Sequence, residues 1–330
     1  MNHLWIRHSA LLLLVVFTAS ASAQKRTPKT EAKTLLVVTV SVDWEGRDLT
    51  ERNLKAFENF REKFPKVPLT HFLNAAYYTR SKDADKQTKL IRRTIRDGDE
   101  IGLHIHCWRT LVEKSGVKYR ALPTFWSAKR PARKGANGDE GHEVELAAYE
   151  AEEVEKLART STKILKENGF EVSKSFRAAG WVASKDVLLG VRKAGFEVDS
   201  SATDRKWHEE EIAKYAIYER IGEVWPKVTK QTQPYVIKTE AGDLLEMPDT
   251  GALADYVNAE EMDIHLKEAF DQAKKDGKVR FVHIGFHQET ASRYVKRVAD
   301  CLAKWQDVEG VEFLTLENAA KKASSKPKLP

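Results

Sequence analysis

The sequence predicts an α/β fold, a barrel of about seven parallel strands wrapped by helices. Apolar, β-branched runs recur along the chain with helical stretches between them, an alternation typical of parallel strands joined by helices. Polar residues with catalytic chemistry stand at the ends of several predicted strands, where catalytic groups collect in α/β barrels. No linker rich in Pro, Gly or Ser interrupts the middle of the 330 residues, which favours one barrel over two domains.

The strands are predicted from short apolar runs, because a strand buried on both faces reads as a continuous apolar segment. In chain order they lie at 35–40, 69–73, 100–106, 175–178, 196–199, 279–286 and 311–314. A hairpin is expected at 235–238 and 244–247, since residues 240–243 (EAGD) have the composition of a turn.

Six helices are predicted from amphipathic or charged stretches, each between two of these strands or beside the hairpin. They lie at 49–64, 86–96, 149–168, 185–194, 260–275 and 291–305. Two long insertions remain, one after the third strand and one before the hairpin. Both follow the carboxyl end of a strand, so they would contribute to the mouth of a barrel.

The first 23 residues have the pattern of a secretory signal peptide. Arg7 precedes an apolar stretch at 10–17, which is shorter than the ~20 residues of a membrane span, and small residues end at Ala23. We expect export to the periplasm or beyond the cell and no stable membrane insertion after cleavage; the alternative is an uncleaved anchor. The predicted organisation is a signal peptide at 1–23, a basic linker at 24–33, a barrel at 34–318 and a basic tail at 319–330.

The formal charge of +6 is concentrated in the two tails. Residues 24–33 carry +3 and residues 321–330 carry +4, whereas residues 34–320 carry −2. We expect both tails to be disordered and to give solubility or loose contact with acidic wall polymers. Nucleic-acid binding is not expected, because a nucleic-acid reader would carry its charge on the folded body.

The chain has two cysteines, Cys107 and Cys301. Export permits a disulfide, but two cysteines far apart in sequence need not meet. On an extended strand Cys107 points away from the side of His106, so a buried or paired cysteine is a better interpretation than a metal ligand.

Two pairs of polar residues are the most informative feature of the sequence. Residues two apart on an extended segment point the same way, so His104 and His106 can face one pocket, and Asp43 and Glu45 can do likewise. Imidazole and carboxylate together suit a divalent metal of the zinc type, and a remaining carboxylate can act as a base. Either pair alone is more simply interpreted as ordinary polar residues at a strand end; their joint occurrence favours a site.

The motifs, taken in order, resemble the polysaccharide deacetylase, or NodB-homology, superfamily of carbohydrate esterases. The resemblance runs from about residue 35 to residue 316 and implies a distorted (β/α) barrel of roughly seven strands and a polysaccharide substrate. Its segments are SVDWEG at 41–46, LTHFLN at 69–74, EIGLHIH at 100–106, SFRAAGW at 175–181, GFEVDSS at 195–201 and FVHIGFHQE at 281–289.

Two features depart from the family pattern. Many members place the second metal histidine four residues after the first, whereas His104 and His106 are two apart, and Trp44 splits the acidic pair. We interpret both as marks of a subgroup.

The resemblance implies a role for each of seven residues. A divalent metal, expected to be Zn²⁺, would be held by Glu45, His104 and His106. The catalytic residues would be Asp43 as general base, Arg177 beside it, His287 as general acid, and Asp199 orienting that histidine.

Alternatives remain open for several of these roles. Asp43 and Glu45 could exchange roles, Arg177 could form a salt bridge with Asp199, and His283 could be the acid in place of His287. Five tryptophans are candidates for a sugar-binding groove or for loop anchors: Trp108, Trp126, Trp181, Trp207 and Trp225. Four further histidines are interpreted as ordinary surface or loop residues: His71, His142, His208 and His265.

The function expected from these observations is a secreted, metal-dependent deacetylase that hydrolyses N-acetyl, or less readily O-acetyl, groups of a polysaccharide. One alternative is a hydrolase of a small linear or cyclic amide on the same barrel, which would need a closed pocket instead of a groove. Another is a carbohydrate-binding protein without turnover, which would hold no metal.

Overall fold

A nine-stranded sheet lies at the centre of the computed structural model, which describes residues 33–135 and 138–324. The strand order is β6-β7-β5-β4-β3-β2-β1-β8, with β9 beside β1, and every pair is parallel except the β6–β7 hairpin. The strands are β1 (Leu36–Asp43), β2 (Thr70–Asn74), β3 (Glu100–Ile105), β4 (Ser175–Ala178), β5 (Val198–Asp199), β6 (Tyr235–Thr239), β7 (Gly242–Glu246), β8 (Arg280–His287) and β9 (Val311–Phe313).

Strand β1 organises the sheet because it pairs along both edges. One edge pairs with β8 over its whole length, from Leu36 opposite Arg280 to Asp43 opposite His287. The other edge is shared, with β9 beside residues 36–38 and β2 beside residues 41–43.

The curled sheet closes through an irregular segment after β7. The N–H of Gly251 donates to the carbonyl of His283 at 2.7 Å, and the N–H of Ala254 donates to that of Gly285 at 2.8 Å. A few backbone bonds thus replace a regular strand on this side, which makes the barrel distorted.

The helices pack around the outside of the sheet and over its ends. They are α1 (Glu51–Lys63), α2 (Ala76–Thr79), α3 (Ala84–Arg92), α4 (Arg109–Lys114), α5 (Ala151–Glu167), α6 (Lys185–Lys193), α7 (Glu209–Ile212), α8 (Ala216–Val224), α9 (Ala259–Asp276), α10 (Ala291–Trp305) and α11 (Leu316–Ser324). Their ends follow local rules, as α9 shows. Asn258 and Glu261 form a capping box at its start, and Gly277 ends it at φ 69°, a conformation that glycine adopts without strain.

The alternation of side chains along β1 separates two environments. Val38, Val40 and Val42 point outward and pack with Phe57 of α1 in the main hydrophobic core. On the opposite face Thr39, Ser41 and Asp43 are buried inside the barrel. The barrel interior is therefore polar toward the carboxyl ends of the strands.

A second hydrophobic cluster fills the amino end of the barrel, where α11 covers it. Its members are Val37, Phe72, Val198, Met247, Phe281, Leu316, Ala319 and Ala320. The first turn of α11 is bound by two neighbouring strands, because the Thr70 hydroxyl accepts from the N–H of Leu316 at 2.8 Å and the Glu100 carboxylate accepts from that of Glu317 at 2.9 Å.

The predicted end of the barrel at residue 318 is therefore wrong. It falls within α11, and because Ala319 and Ala320 are buried against the barrel, the fold continues to Ser324. The predicted basic tail at 319–330 begins as helix, and its last six residues lie outside the described chain.

The predicted α/β barrel is confirmed, and each predicted strand and helix is present with its ends shifted by a few residues. Five helices were not predicted: α2, α4, α7, α8 and α11. The predicted signal peptide at 1–23 and nearly all of the linker at 24–33 lie outside the described residues. In the described part of the chain no helix is both long and apolar enough to cross a membrane.

Candidate metal and catalytic centre

Strand register brings polar side chains from distant parts of the sequence to one end of the barrel. Asp43 lies opposite His287 across β1 and β8, and His104 lies opposite Arg177 across β3 and β4. Glu45 follows β1 by two residues. A cavity of about 100 Å³ lies among these strand ends, and its lining includes Asp43, Glu45, His104, His106 and His287.

The three predicted metal ligands lie together. The ligand atoms of Glu45, His104 and His106 are all within 4.8 Å of one another. The Glu45 carboxylate lies 2.9 Å from Nε2 of His106 and 3.5 Å from Nε2 of His104.

Backbone carbonyls determine which nitrogen each histidine presents. Nδ1 of His104 lies 2.9 Å from the carbonyl oxygen of Arg177, and Nδ1 of His106 lies 2.6 Å from that of His142. A carbonyl can only accept, so each Nδ1 carries a hydrogen and each ring points its Nε2 toward Glu45. Nε2 of His104 is buried without a hydrogen-bond partner among the described residues, which fits an atom that binds a cation.

The loop after β1 is built to hold Glu45 in place. The indole N–H of Trp108 donates to the carbonyl of Glu45 at 2.9 Å. Gly46 follows at φ 71°, and a Cβ at this position would lie 2.9 Å from the Cβ of Ala76. Only glycine combines this backbone conformation with so close an approach.

His142 belongs to the centre, so its interpretation as an ordinary surface or loop residue is wrong. Its Nε2 lies 2.8 Å from the Glu45 carboxylate, and its ring stacks on that of His106 at a centroid distance of 4.2 Å. Burial, followed by repulsion from His106, lowers the pKa of His142 to about 4, so the ring is neutral and donates to Glu45. This residue lies in the first insertion, where no periodic pattern indicated a position.

Glu45 is ionised in this environment. Burial alone would raise the pKa of Glu45, but attraction to His106 and hydrogen bonds with His106 and His142 outweigh burial and hold the pKa well below its ordinary value.

Asp43 forms a buried ion pair with Arg177, the contact that the family resemblance implies. The guanidinium donates from Nη1 to Oδ1 of Asp43 and to the Ser41 hydroxyl, both at 3.0 Å, and from Nε to the Ser200 carbonyl at 2.9 Å. It also lies over the Phe72 ring at 4.5 Å. The planar guanidinium of Arg177, fixed by these contacts, sets the orientation of the Asp43 carboxylate.

The alternative contact between Arg177 and Asp199 is absent from the described ion pairs. The two carboxylates near Arg177 are those of Asp43 at 3.0 Å and Asp249 at 3.8 Å.

The alternative acid, His283, lies behind Arg177 and does not line the cavity. Nη2 of Arg177 donates to Nε2 of His283 at 3.0 Å. Burial, followed by repulsion from Arg177, lowers the pKa of His283 well below its ordinary value, so the ring is uncharged at neutral pH and is not the imidazolium that a general acid requires.

His287 lines the cavity, and its carboxylate partner is Asp255. Nδ1 of His287 lies 3.0 Å from Oδ2 of Asp255, and Nε2 lies 3.7 Å from Glu45. Burial lowers the pKa of His287, but Asp255, with help from Glu45 and Asp43, outweighs burial and raises it to about 10.

The prediction that Asp199 orients His287 is wrong. Asp199 lies opposite Glu246 across β5 and β7, where it forms a hydrogen bond with Glu246 and accepts another from the Ser201 hydroxyl at 2.8 Å. Burial raises the pKa of Asp199, as expected for two neighbouring buried carboxyls. Asp255 lies in the irregular segment after β7, where the sequence has no strand pattern to mark a strand end.

Three solved structures share this architecture over almost the whole chain. A protein named as a polysaccharide deacetylase from Mycobacterium smegmatis is 13% identical, with a TM-score of 0.53 over 91% of this chain and 99% of that one. The chain has the polysaccharide deacetylase fold. A second protein so named, from Pseudomonas aeruginosa PAO1, is 17% identical, with a TM-score of 0.52 over 90% of this chain and 93% of that one.

The third structure with the deacetylase fold is the Puue allantoinase. It is 15% identical, with a TM-score of 0.52 over 96% of this chain and 100% of the allantoinase. No protein-family model matches the sequence. The comparison with curated proteins likewise finds no match.

Trp126 marks the mouth of the site in this deacetylase fold. Its side chain is 47% exposed, and it lines the site cavity together with two larger neighbouring cavities of about 710 and 520 Å³. The site thus opens into a groove instead of a closed chamber.

The other four candidate tryptophans are largely buried and donate hydrogen bonds within the protein. Besides the bond from Trp108 to Glu45, Trp181 donates to Asp249 at 2.9 Å, Trp207 to the Thr250 carbonyl at 2.7 Å, and Trp225 to the Trp181 carbonyl at 2.7 Å. They anchor loops, and Trp126 remains as the sugar-binding candidate.

The remaining residues singled out from the sequence lie elsewhere. Cys107 and Cys301 are both buried and form no disulfide with each other. His71, His208 and His265 are buried, so their interpretation as surface or loop residues is corrected.

Proposed function

We propose that the protein is an exported, metal-dependent deacetylase that removes N-acetyl groups, or O-acetyl groups, from a polysaccharide. The observation that carries this proposal is the convergence of three arrangements on one cavity: the Glu45, His104 and His106 cluster, the Asp43–Arg177 pair and the His287–Asp255 pair. Amide hydrolysis needs a bound nucleophile, a base and an acid, and each arrangement matches one of these needs.

Glu45, His104 and His106 would hold the metal. Two imidazoles and one carboxylate form a ligand set typical of catalytic zinc, which leaves a position open. When bound, such a metal would supply Lewis-acid chemistry, lowering the pKa of a water molecule and polarising the acetyl oxygen.

Asp43 would take the proton of the attacking water. Arg177 binds Oδ1 of Asp43, so Oδ2 is the oxygen proposed to receive the proton. The buried guanidinium holds the direction of the Asp43 carboxylate. Glu45 is a poorer base because His106 and His142 already occupy its carboxylate.

His287 would donate a proton to the departing amine. Asp255 faces Nδ1, so Nε2 is the atom that carries the mobile proton toward the cavity. A histidine kept protonated by a carboxylate suits this step, because an amine leaves only after it is protonated.

The shape of the site favours a polymer over a small amide. The cavity of about 100 Å³ above the cluster adjoins the larger cavities of about 710 and 520 Å³, with exposed Trp126 at their junction. Indole faces pack well against sugar rings. A small cyclic amide would instead call for an enclosed pocket.

Acetate release from acetylated glycans tests the proposal directly. The panel comprises chitin oligomers, peptidoglycan and acetylated exopolysaccharides, each with the wild type, Asp43→Asn and His104→Ala. We expect release from at least one glycan, a loss of about 10²-fold or more in kcat for Asp43→Asn, and loss of the metal for His104→Ala.

Asp243→Asn is the matched control, because this exposed hairpin aspartate lies far along the sheet from the cluster and should leave the rate unchanged. Wild-type rates in both site variants would show that the centre is misassigned. A protein without metal and without release after zinc or cobalt is added would point to the carbohydrate-binding alternative.

A further inference from the structure

The cavity of about 710 Å³ beside the site is lined by an excess of positive charge. It shares Trp126 and His142 with the lining of the site cavity, so it is the direct continuation of the site along the surface. Six cationic side chains line it, against three acidic ones. We call this cavity the basic groove, and its cations are Arg47, Arg52, Arg80, Arg133, Lys134 and Arg293.

Five of the six cations are exposed, which leaves them available to a ligand. Arg80 is the exception, because it stacks on the Trp108 ring at 3.7 Å and pairs with Asp139 at 3.5 Å. Of the three acidic residues, Glu289 is turned into the protein, where its carboxylate accepts the N–H of Glu45 at 3.2 Å and the hydroxyl of Tyr77.

This positive charge is local. Residues 34–320, which include nearly all of the described fold, carry a net charge of −2, and the basic tails lie at the two ends of the chain. A cluster of cations on a body of slightly negative charge creates a positive potential at one place, which raises the local concentration of anions.

The site and the groove together select a kind of substrate. Arginine forks bind carboxylate or sulfate groups through two parallel hydrogen bonds, and an exposed indole stacks on a sugar ring. A glycan that carries an acetamide on one sugar and an acid group on a neighbouring sugar would place the first at the metal ligands and the second among the arginines.

We propose that the substrate is an anionic N-acetylated glycan, whose acid groups bind in the basic groove while the acetamide enters the site. This inference rests on the proposed deacetylase function and adds the substrate class to it.

Binding without turnover isolates the contribution of the groove. The probes are a hyaluronan hexasaccharide, in which N-acetylglucosamine alternates with glucuronate, and the neutral chitin hexamer, each titrated calorimetrically into the full chain carrying Asp43→Asn. We expect the acidic probe to bind about tenfold more tightly at low salt, and the difference to shrink as salt screens the charges.

The variant Arg133→Gln/Lys134→Gln/Arg293→Gln removes three cations of the groove and should abolish the preference for the acidic probe. The matched control is Lys66→Gln/Lys275→Gln/Lys278→Gln, which removes three exposed charges near the amino ends of strands and should keep the preference. Because all six residues are exposed, neither variant should lose its fold, which a thermal melt would verify.

Three results would overturn the inference: equal affinity for both probes, undiminished hyaluronan binding in the groove variant, or tighter binding of a DNA or RNA oligonucleotide than of the acidic glycan. Acetate release from both glycans by the unmodified chain tests the deacetylase separately. If neither glycan releases acetate, the deacetylase on these substrates fails, while the titrations still decide whether the groove binds acidic glycans.

Discussion

The pair His287–Asp255 is the residue-scale feature with the clearest dependence on pH. The pKa of His287, raised to about 10, lies above the ordinary value of about 6.5, so the charge of the pair stabilises the fold fully below that ordinary value. This stabilisation is lost as the pH rises through about 10, and the proton proposed for the leaving amine is lost in the same range.

Asp255→Asn should therefore lower the pKa of His287. An amide keeps the shape of the side chain and removes its charge, so we expect the basic limb of the profile of kcat/KM against pH to move down by about 1 unit or more. The profile is measured on an acetylated glycan that the wild type hydrolyses. Asp199→Asn is the informative comparison, because Asp199 contacts Ser201 and Glu246 and its variant should keep the wild-type limb. A basic limb that stays in place in Asp255→Asn would exclude His287 as the acid.

The residues that could be predicted from the sequence are those fixed by strands. Asp43, His104, Arg177 and His287 lie on strands, where alternation determines which side chains share a face. His142 and Asp255 lie in irregular segments, and their positions depend on how long loops fold back over the barrel. Asp199 does lie at the predicted strand end, but it contacts Glu246 and not His287. The sequence could not show this, because the pairing of β5 with β7 depends on the hairpin that follows.

At the scale of elements, most strands and long helices were predictable because apolar runs and helical periodicity are patterns of consecutive residues. Helices α2, α4 and α7 have four to six residues, too few for a periodic pattern to be visible. Helix α11 carries Lys321 and Lys322 on a short segment and resembles the charged tail beyond it. The apolar residues of α11 pack against the cluster at the amino end of the barrel, and that surface exists only after the sheet has curled.

Leu316 should be a strong anchor of α11. It is fully buried in the cluster at the amino end of the barrel, so Leu316→Ala removes apolar contacts and leaves a cavity. We expect a loss of about 2–5 kcal/mol in the free energy of unfolding, measured with urea or guanidinium. Lys321→Ala on the exposed side of the same helix is the control and should change the free energy by less than about 0.5 kcal/mol. A change as small for Leu316→Ala would mean that α11 is not part of the cooperative fold.

At the scale of the whole molecule, the proposed metal joins two loops that are distant in sequence. Glu45 follows β1, whereas His104 and His106 belong to the end of β3. A ligand that binds only the folded state stabilises it by mass action, so adding Zn²⁺ at about 100 times its Kd should add about 2.7 kcal/mol to the free energy of unfolding. A rise in Tm that a chelator reverses would report this effect without any assay of activity.

The variant His104→Ala should melt at a temperature that no longer depends on zinc. Its counterpart is His265→Ala, which removes a buried histidine outside the cluster; it should lower Tm but keep the zinc-dependent rise. An equal zinc response in wild type and His104→Ala would place metal binding elsewhere in the protein.

The pairing of β1 with β8 and β9 has a consequence for biosynthesis. Strand β1 has its full-length neighbour at Arg280–His287 and another at Val311–Phe313, so one of its edges and the beginning of the other stay unpaired until these distant segments have been translated. Such long-range closure is slow and leaves apolar edges open to aggregation in the meantime. Nascent chains stalled before residue 280 should therefore depend on chaperones, because the neighbour of β1 has not yet been made.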